Sequence, residues 1–363
     1  MGNILSTKRR ITMKRKSIVF TGKEQVELIS EDIPEINDGQ ILVETTKTLI
    51  STGTESTCYR RNFAPGTHWD NWVKYPFYTG YLNVGTVVKV GKNVKDWKAG
   101  DRAVSRSGHS SHIVADAVES RNISKADEGD CTPLNRAVKV PDGVIDEEAV
   151  WMGLGKIVQV GVRAAEHKLG DDVVIIGLGL LGQLVVQYVK LLGASEIIAI
   201  DISQKRLDMA KAHGATQTLK MSSAEAEPIV KKLTGGRKAD VVYDVTGHPA
   251  VFATALPLAR NFGTVILLGD PGAPNLQTLT PDLITRGLRI VGAHDCHPPA
   301  MPDQFVRWSG LQMYDLFLKY LSRKEMKVAD LITNRFKPED CKKAYTYLQT
   351  DRENAMGVIF DWK

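Results

Sequence analysis

Apolar positions along this chain follow three regimes of spacing. From about Lys14 to Val140 they come in short or alternating runs broken by Gly and Pro, such as Ser17–Phe20, Gln40–Glu44, Val84–Val90 and His112–Ala115. Runs of that length between turn residues predict strands, and a succession of them predicts an all-β, barrel-like module. From about Leu154 to Gly292 apolar runs alternate with helical patterns, with strands expected at Val173–Ile176, Ile197–Ile200, Asp240–Asp244, Thr264–Leu268 and Arg289–Gly292. That alternation predicts a parallel sheet with crossover helices. The tail reads as helix over Trp308–Leu321 and Pro338–Leu348, with strands at Leu331–Phe336 and Gly357–Trp362.

The sharpest local pattern runs from Val173 to Arg206. A strand is followed by Gly177, Gly179 and Gly182, a helical stretch through Gln183–Leu192, and a second strand that ends on Asp201. Strand, GxGxxG, helix, strand and acid form a complete dinucleotide-binding unit. Gly177 permits the tight turn, Gly179 lets the backbone approach a pyrophosphate, and Gly182 lets helix and strand pack closely. Leu180 and Leu181 then open a helix whose N–H groups and positive dipole end suit phosphates. Asp201 lies about twenty residues past the glycines, where an acid accepts hydrogen bonds from the ribose hydroxyls. It also repels a 2′-phosphate, so NAD is expected over NADP. Arg206 and Lys205 pull the other way, because a basic side chain near that ribose accommodates the phosphate.

Length and composition add bounds. At 363 residues the chain accommodates two ordinary domains. With 25% charged and 43% hydrophobic residues it falls in the range of soluble globular proteins. The net charge of +5 is scattered, without the basic stripe of a nucleic-acid binder. No apolar run approaches the roughly 18 residues of a membrane span. The opening MGNILS fits a loose N-myristoylation pattern through Gly2 and Ser6, but an unstructured leader ahead of a second start at Met13 is the preferred reading. Without a signal-peptide core, a cytoplasmic location is expected. The four cysteines, Cys58, Cys131, Cys296 and Cys341, form no CxxC pair and are expected to be reduced.

The order β-module, dinucleotide unit and returning tail resembles the medium-chain dehydrogenase/reductase superfamily. Val84–Val104, VGTVVKVGKNVKDWKAGDRAV, is similar to that family's GxVxxVGxxVxxxKxGDRV segment, and VIIGLGLLG, VVYDVTG and LLGDPG look like its nucleotide-domain signatures. The resemblance implies an α/β protein in which a GroES-like β-barrel-type catalytic domain is joined to a Rossmann, doubly wound parallel-sheet cofactor domain. Expected boundaries are a leader at 1–12, the catalytic domain at 13–153, the NAD domain at 154–296 and a C-terminal return at 297–363. It also implies that Thr246, Leu268 and Gly269 line the cofactor along with the glycines, Leu180, Leu181, Asp201 and Arg206. Members are commonly homodimers or homotetramers paired through the cofactor domain.

Departures from the family pattern are equally informative. Zinc-dependent members use a Cys in a CGTD-like element, a His in a GHE-like element and a third ligand near the cofactor domain. Here Thr52 stands at the first position, Tyr81 at the second with Leu82 for the Glu, and Met152 at about the third. Thiolate, imidazole and carboxylate bind zinc, and these residues are poor substitutes. No catalytic zinc is expected, and the four-cysteine structural zinc loop is absent as well. An alternative site from Glu55, His109 and His112 matches no ligand spacing. Three residues remain for proton transfer. Thr54 falls where the family carries its relay hydroxyl. Tyr81 donates and accepts through its phenol, and Lys156 becomes a general base if desolvation lowers its pKa. Arg60, Arg61, Asn62, His68, Trp69, Asp70 and Trp72 are candidates for a polyhydroxyl or anionic pocket.

The expected function is zinc-independent, NAD-linked hydride transfer to or from a secondary alcohol such as a sugar or polyol. Two other readings stand beside it: an NAD(P)H-dependent quinone or enoyl reductase, and a non-catalytic nucleotide-binding protein. In each case the partner is a small molecule rather than nucleic acid or membrane.

Overall fold

A computed structural model describes residues 13–117, 136–296 and 307–363. The expected leader at 1–12, with its acylation pattern, and Cys131 lie outside these residues.

The N-terminal part is built of β1 (Lys14–Gly22), β2 (Gln25–Asp32), β3 (Gln40–Ile50), α1 (Thr52–Arg60), α2 (His68–Trp72), β4 (Phe77–Tyr78), β5 (Asn83–Val90), β6 (Arg102–Ser105), β7 (His112–Asp116), β8 (Val138–Lys139) and α3 (Asp146–Ala149). β1 pairs with β2 and β4 in a small sheet, and β3 is the hub of a larger one, flanked by β5 and β7. The all-β expectation missed α1. Its sequence TGTESTCYR carries no apolar stripe, because the helix buries Glu55 and Ser56 together with Cys58 and Tyr59. Periodicity cannot register a helix whose inner face is partly polar.

The middle of the chain alternates as expected. It contains α4 (Met152–Ala164), β9 (Asp172–Ile176), α5 (Leu180–Leu191), β10 (Glu196–Asp201), α6 (Gln204–His213), β11 (Gln217–Lys220), α7 (Glu227–Leu233), β12 (Ala239–Asp244), α8 (Pro249–Ala255), β13 (Ala259–Leu267), α9 (Asp282–Thr285) and β14 (Arg289–Gly292). The six strands lie in the order β11-β10-β9-β12-β13-β14, and every pair is parallel. This is the doubly wound order, with β9 at the centre and the direction of winding reversing between β9 and β12. β9, DVVII, is buried at every position, as a strand covered on both faces requires.

The tail adds α10 (Gly310–Ser322), β15 (Ile332–Phe336), α11 (Cys341–Thr350) and β16 (Gly357–Asp361). α10 starts at a capping box in which Ser309 Oγ accepts from Gln312 N–H and Gln312 Oε1 accepts from Ser309 N–H. β16 pairs antiparallel with β3 and parallel with β15, so the last strands of the chain complete the sheet of the first domain.

α4 runs from one domain into the other and packs against both. Its small residues permit this. A Cβ at Gly155 would lie 2.4 Å from the Phe317 ring on α10, and one at Gly161 would touch Leu268 and Ile266. Phe317 is fully buried. Gly155→Ala therefore overpacks the α4–α10 contact and is expected to cost about 1–3 kcal/mol. The check is a lower urea midpoint at unchanged m-value.

Candidate active site

The carboxyl ends of β9, β12 and β13 form the cofactor cradle. Gly177 has φ = +91°, and a Cβ at Gly182 would sit 2.0 Å from the Gly177 carbonyl oxygen. Only glycine fits at 182. Gly179, the N-cap of α5, faces open space, since a Cβ there would meet nothing within 4 Å. The first-turn N–H groups of Leu180 and Leu181 have no intrahelical acceptors. Asp201 is buried at the end of β10; Oδ2 accepts from Leu178 N–H at 2.7 Å and Oδ1 from Ser203 N–H at 2.9 Å. A carboxylate has about four acceptor sites, which leaves two for ribose hydroxyls. Arg206 lies 4.0 Å from Asp201 and donates to the Arg352 carbonyl. Thr246 is fixed by Asp244, which accepts from both its N–H and its hydroxyl, and its methyl abuts Gly177. Leu268 and Gly269 both donate their N–H groups to the Asp244 carbonyl. The residues present fit a dinucleotide: glycines where backbone must approach closely, free helix N–H groups, and an acid with spare acceptor capacity.

In front of this cradle, the start of α1 meets the loop before β5. Ser51 is the N-cap of α1, and its N–H donates to Glu55 Oε1 at 2.8 Å. Thr54 lies inside α1 and does not cap it. Its hydroxyl is 3.4 Å from Tyr81 Oη, and Tyr81 in turn donates to Ser51 Oγ at 2.5 Å. Burial pushes the Tyr81 phenol above its ordinary range, while the nearby Arg106 guanidinium opposes that shift. The guanidinium lies over the Tyr81 ring, 4.3 Å from its centre. Its Nη2 donates to Asp295 Oδ2 at 2.5 Å, and the same carboxylate accepts from Lys156 Nζ through Oδ1 at 2.7 Å. Lys156 also donates to the Asp295 backbone carbonyl. Thr54, Tyr81 and Lys156 thus belong to one connected network, but through Arg106 and Asp295, two residues that sequence reasoning missed.

That connection changes the expectation for Lys156. Burial lowers its pKa below the ordinary lysine range, and Asp295 pulls against this by charge and hydrogen bond. An ammonium held by a buried carboxylate has no hydrogen bond to the Tyr81 or Thr54 hydroxyls, so it reaches them only through Asp295 and Arg106.

Three other expectations can be placed. At the former metal positions Thr52 opens α1, Met152 opens α4 and Tyr81 is committed to Ser51, a set without thiolate, imidazole or carboxylate. Glu55 and His109 do meet, at 3.0 Å, but as part of a buried cluster in which Glu55 also accepts from Thr79 and Tyr345. Burial pushes Glu55 up, yet His109 and these hydrogen bonds hold it below the ordinary glutamate range. His112 is elsewhere, on β7 beside Ser111. Among the described residues no three His, Cys, Asp or Glu side chains converge on a metal position. In the aromatic segment Arg61 pairs with Asp70 and lies over Phe63, and Trp69 is buried against Phe63. Those side chains hold the segment together instead of lining a pocket. His68 pairs with Asp270 across the two domains.

Sequence profiles agree with this arrangement. The alcohol dehydrogenase GroES-like domain matches residues 37–150, and the zinc-binding dehydrogenase profile matches 181–309. The chain belongs to the medium-chain dehydrogenase/reductase superfamily. It is accordingly an oxidoreductase built to use a nicotinamide nucleotide. Among relatives in this superfamily, L-threonine 3-dehydrogenase of Vibrio cholerae is 27% identical over 97% of this chain and 100% of its own length. The fold is shared with galactitol-1-phosphate dehydrogenase from Escherichia coli, at 20% identity and a TM-score of 0.76 over 95% of this chain and 99% of that one. It is shared likewise with a Pseudomonas syringae quinone oxidoreductase, at 23% identity and a TM-score of 0.73 over 96% and 99%. The contact of Arg106 and Lys156 with Asp295 joins the end of β6, α4 and the segment after β14.

Ser51, Arg106 and Asp295 carried no sequence signal as site residues. Ser51 precedes a helix that periodicity did not reveal, and Arg106 and Asp295 are 189 positions apart. Asp201→Ala is expected to narrow the preference for NAD over NADP by at least tenfold, or ~1.4 kcal/mol. Parallel fluorescence titrations with both nucleotides provide the check, and an unchanged ratio removes Asp201 from ribose recognition.

Proposed function

We propose that this protein is a zinc-independent, NAD-linked dehydrogenase that moves hydride between the nicotinamide and a secondary alcohol, with sugars, polyols and related polyhydroxylated compounds as its substrate class. The observation that carries this reading is the hydroxyl chain Thr54–Tyr81–Ser51, with a guanidinium laid over the phenol at the position that zinc-dependent members give to a metal ligand. The names of two relatives, a threonine 3-dehydrogenase and a galactitol-1-phosphate dehydrogenase, point to the same CH–OH chemistry.

Bound NAD supplies the hydride acceptor; the chain supplies binding, orientation and proton movement. Asp201 and the α5 N-terminus hold the nucleotide. Tyr81 is the proposed proton-transfer residue. Its raised pKa keeps the phenol protonated at neutral pH, ready to donate during ketone reduction, and Arg106 over the ring favours the phenolate when the proton leaves. In the oxidative direction the substrate hydroxyl gives its proton to Tyr81 as Tyr81 passes its own to Thr54, and the Thr54 proton leaves to solvent at that partly exposed end of the chain. Thr52, Tyr81 and Met152 do not fit zinc, and no step requires one.

Two measurements test this. NADH formation across a panel of sugars, polyols and simple alcohols is expected to survive dialysis against a strong chelator, and its loss would sink the metal-free reading. Tyr81→Phe is expected to lower kcat by roughly 10²–10⁴ while leaving NAD affinity unchanged. Lys156→Met, by contrast, is expected to keep the alkaline limb of the pH–rate profile, because Lys156 acts through Asp295. Disappearance of that limb would make Lys156 the base.

A further inference from the structure

Behind Tyr81, Arg106 and Lys156 both converge on the single carboxylate of Asp295, and all three side chains are less than a tenth exposed. The other groups acting on Arg106 are the phenols of Tyr81 and Tyr314, both pushed towards their neutral forms by burial, Tyr314 to about 12. Among the described residues, His294 near Asp295 adds no negative charge, and Cys296 is a further titratable group that acts on Lys156. Among the described residues, two basic side chains thus share one carboxylate at the cleft. A buried charge without a partner is strongly disfavoured, and paired or ligand-bound charges are the rule.

Arg106 is also incompletely used. Its Nη2 is committed to Asp295, but Nε and Nη1, both buried, meet no acceptor among the described residues. Buried donors of this kind are uncommon and call for an explanation. The side chain is held rigidly while it waits: the guanidinium is stacked on Tyr81 and lies against Gly153, where a Cβ would come within 2.6 Å of Nη1. A planar, permanently charged guanidinium with spare N–H groups is the side chain best suited to a carboxylate or phosphate.

We propose that the substrate carries an anionic group, a carboxylate or a phosphate ester, close to the reacting hydroxyl, and that Arg106 is the residue that binds it. This rests on the dehydrogenase reading and narrows it from neutral polyols to hydroxy acids or sugar and polyol phosphates. Position supports it. Because Arg106 stacks on the residue proposed to move the proton, an anion on Arg106 places a nearby carbinol oxygen within reach of the Tyr81 hydroxyl. Asp295 tunes the site by cancelling part of its charge, and Lys156 offsets that cancellation.

The test is calorimetric titration of the intact protein, saturated with NADH, with three probes: oxalate, inorganic phosphate and the neutral diamide oxamide. At least one anion is expected to bind. Arg106→Met is expected to weaken that anion at least tenfold and leave oxamide unchanged. Asp295→Asn is expected to tighten it several-fold, a direction that a folding defect does not produce. Preference for oxalate identifies a carboxylate substrate, and preference for phosphate a phosphate ester. The proposal is overturned if neither anion binds the wild type, if Arg106→Met leaves anion affinity unaltered, or if both variants weaken it. Binding is read without turnover. Anion binding with no NADH formation on any alcohol would therefore sink the dehydrogenase reading alone, and turnover of neutral polyols without anion binding would sink this proposal alone.

Discussion

Asp295 holds two cations that come from different parts of the chain, and the geometry of the cleft depends on that contact. Arg106 follows β6 of the first domain, Lys156 sits on the helix that joins the domains, and Asp295 follows the last strand of the parallel sheet. One carboxylate therefore fixes the first domain, the connecting helix and the second domain relative to one another. It does so beside the reacting groups, since Arg106 continues directly onto the Tyr81 ring. Buried pairs of this kind are seldom a net source of stability, because desolvation offsets most of the attraction. Their value here is positional: removal of Asp295 leaves two basic side chains without their carboxylate, and removal of either cation unties one part of the chain from it.

The architecture was legible because its signals are local. The parallel strands appear as unbroken apolar runs, and Gly177 and Gly182 fall where the tight turn and the close helix–strand approach require them. Each of these is a statement about a few neighbouring residues, and each has a steric cause that the coordinates display, such as the 2.0 Å approach that forbids a side chain at 182. That Thr52, Tyr81 and Met152 stand where the resemblance puts zinc donors could likewise be read from residue identity at a motif position.

The proton-handling network was only half legible. Thr54 and Tyr81 could be named from their motif positions, but Ser51, whose hydroxyl accepts from Tyr81, could not, because α1 hides a polar inner face from any hydrophobic pattern. Lys156 was read as a general base on condition that burial lowers its pKa; the carboxylate that holds it is 139 positions away. Arg106 was invisible for the same reason. Charged residues at the surface and charged residues in a cleft look alike in a sequence, and only tertiary contact distinguishes them. Part of the aromatic segment between Tyr59 and Tyr81 differs in the opposite direction. Its rings and charges suggested a binding surface, whereas Arg61, Trp69 and Asp70 are consumed in packing the segment on itself.

The return of β15 and β16 to the sheet of the first domain bears on how the protein is made. β3 finds its β16 partner only near the end of the chain, with Thr48 opposite Phe360. The parallel sheet, by contrast, is assembled from segments contiguous in sequence. During synthesis the second domain has all its strands before the first has its last two, although the first begins earlier. A nascent chain must therefore carry an unfinished edge of β3 across the ribosome until the final residues emerge, and long-range pairing of this kind is slow and prone to misassembly. The compact dinucleotide domain, folding as an insert between the two halves of its neighbour, brings those halves close together and shortens that search.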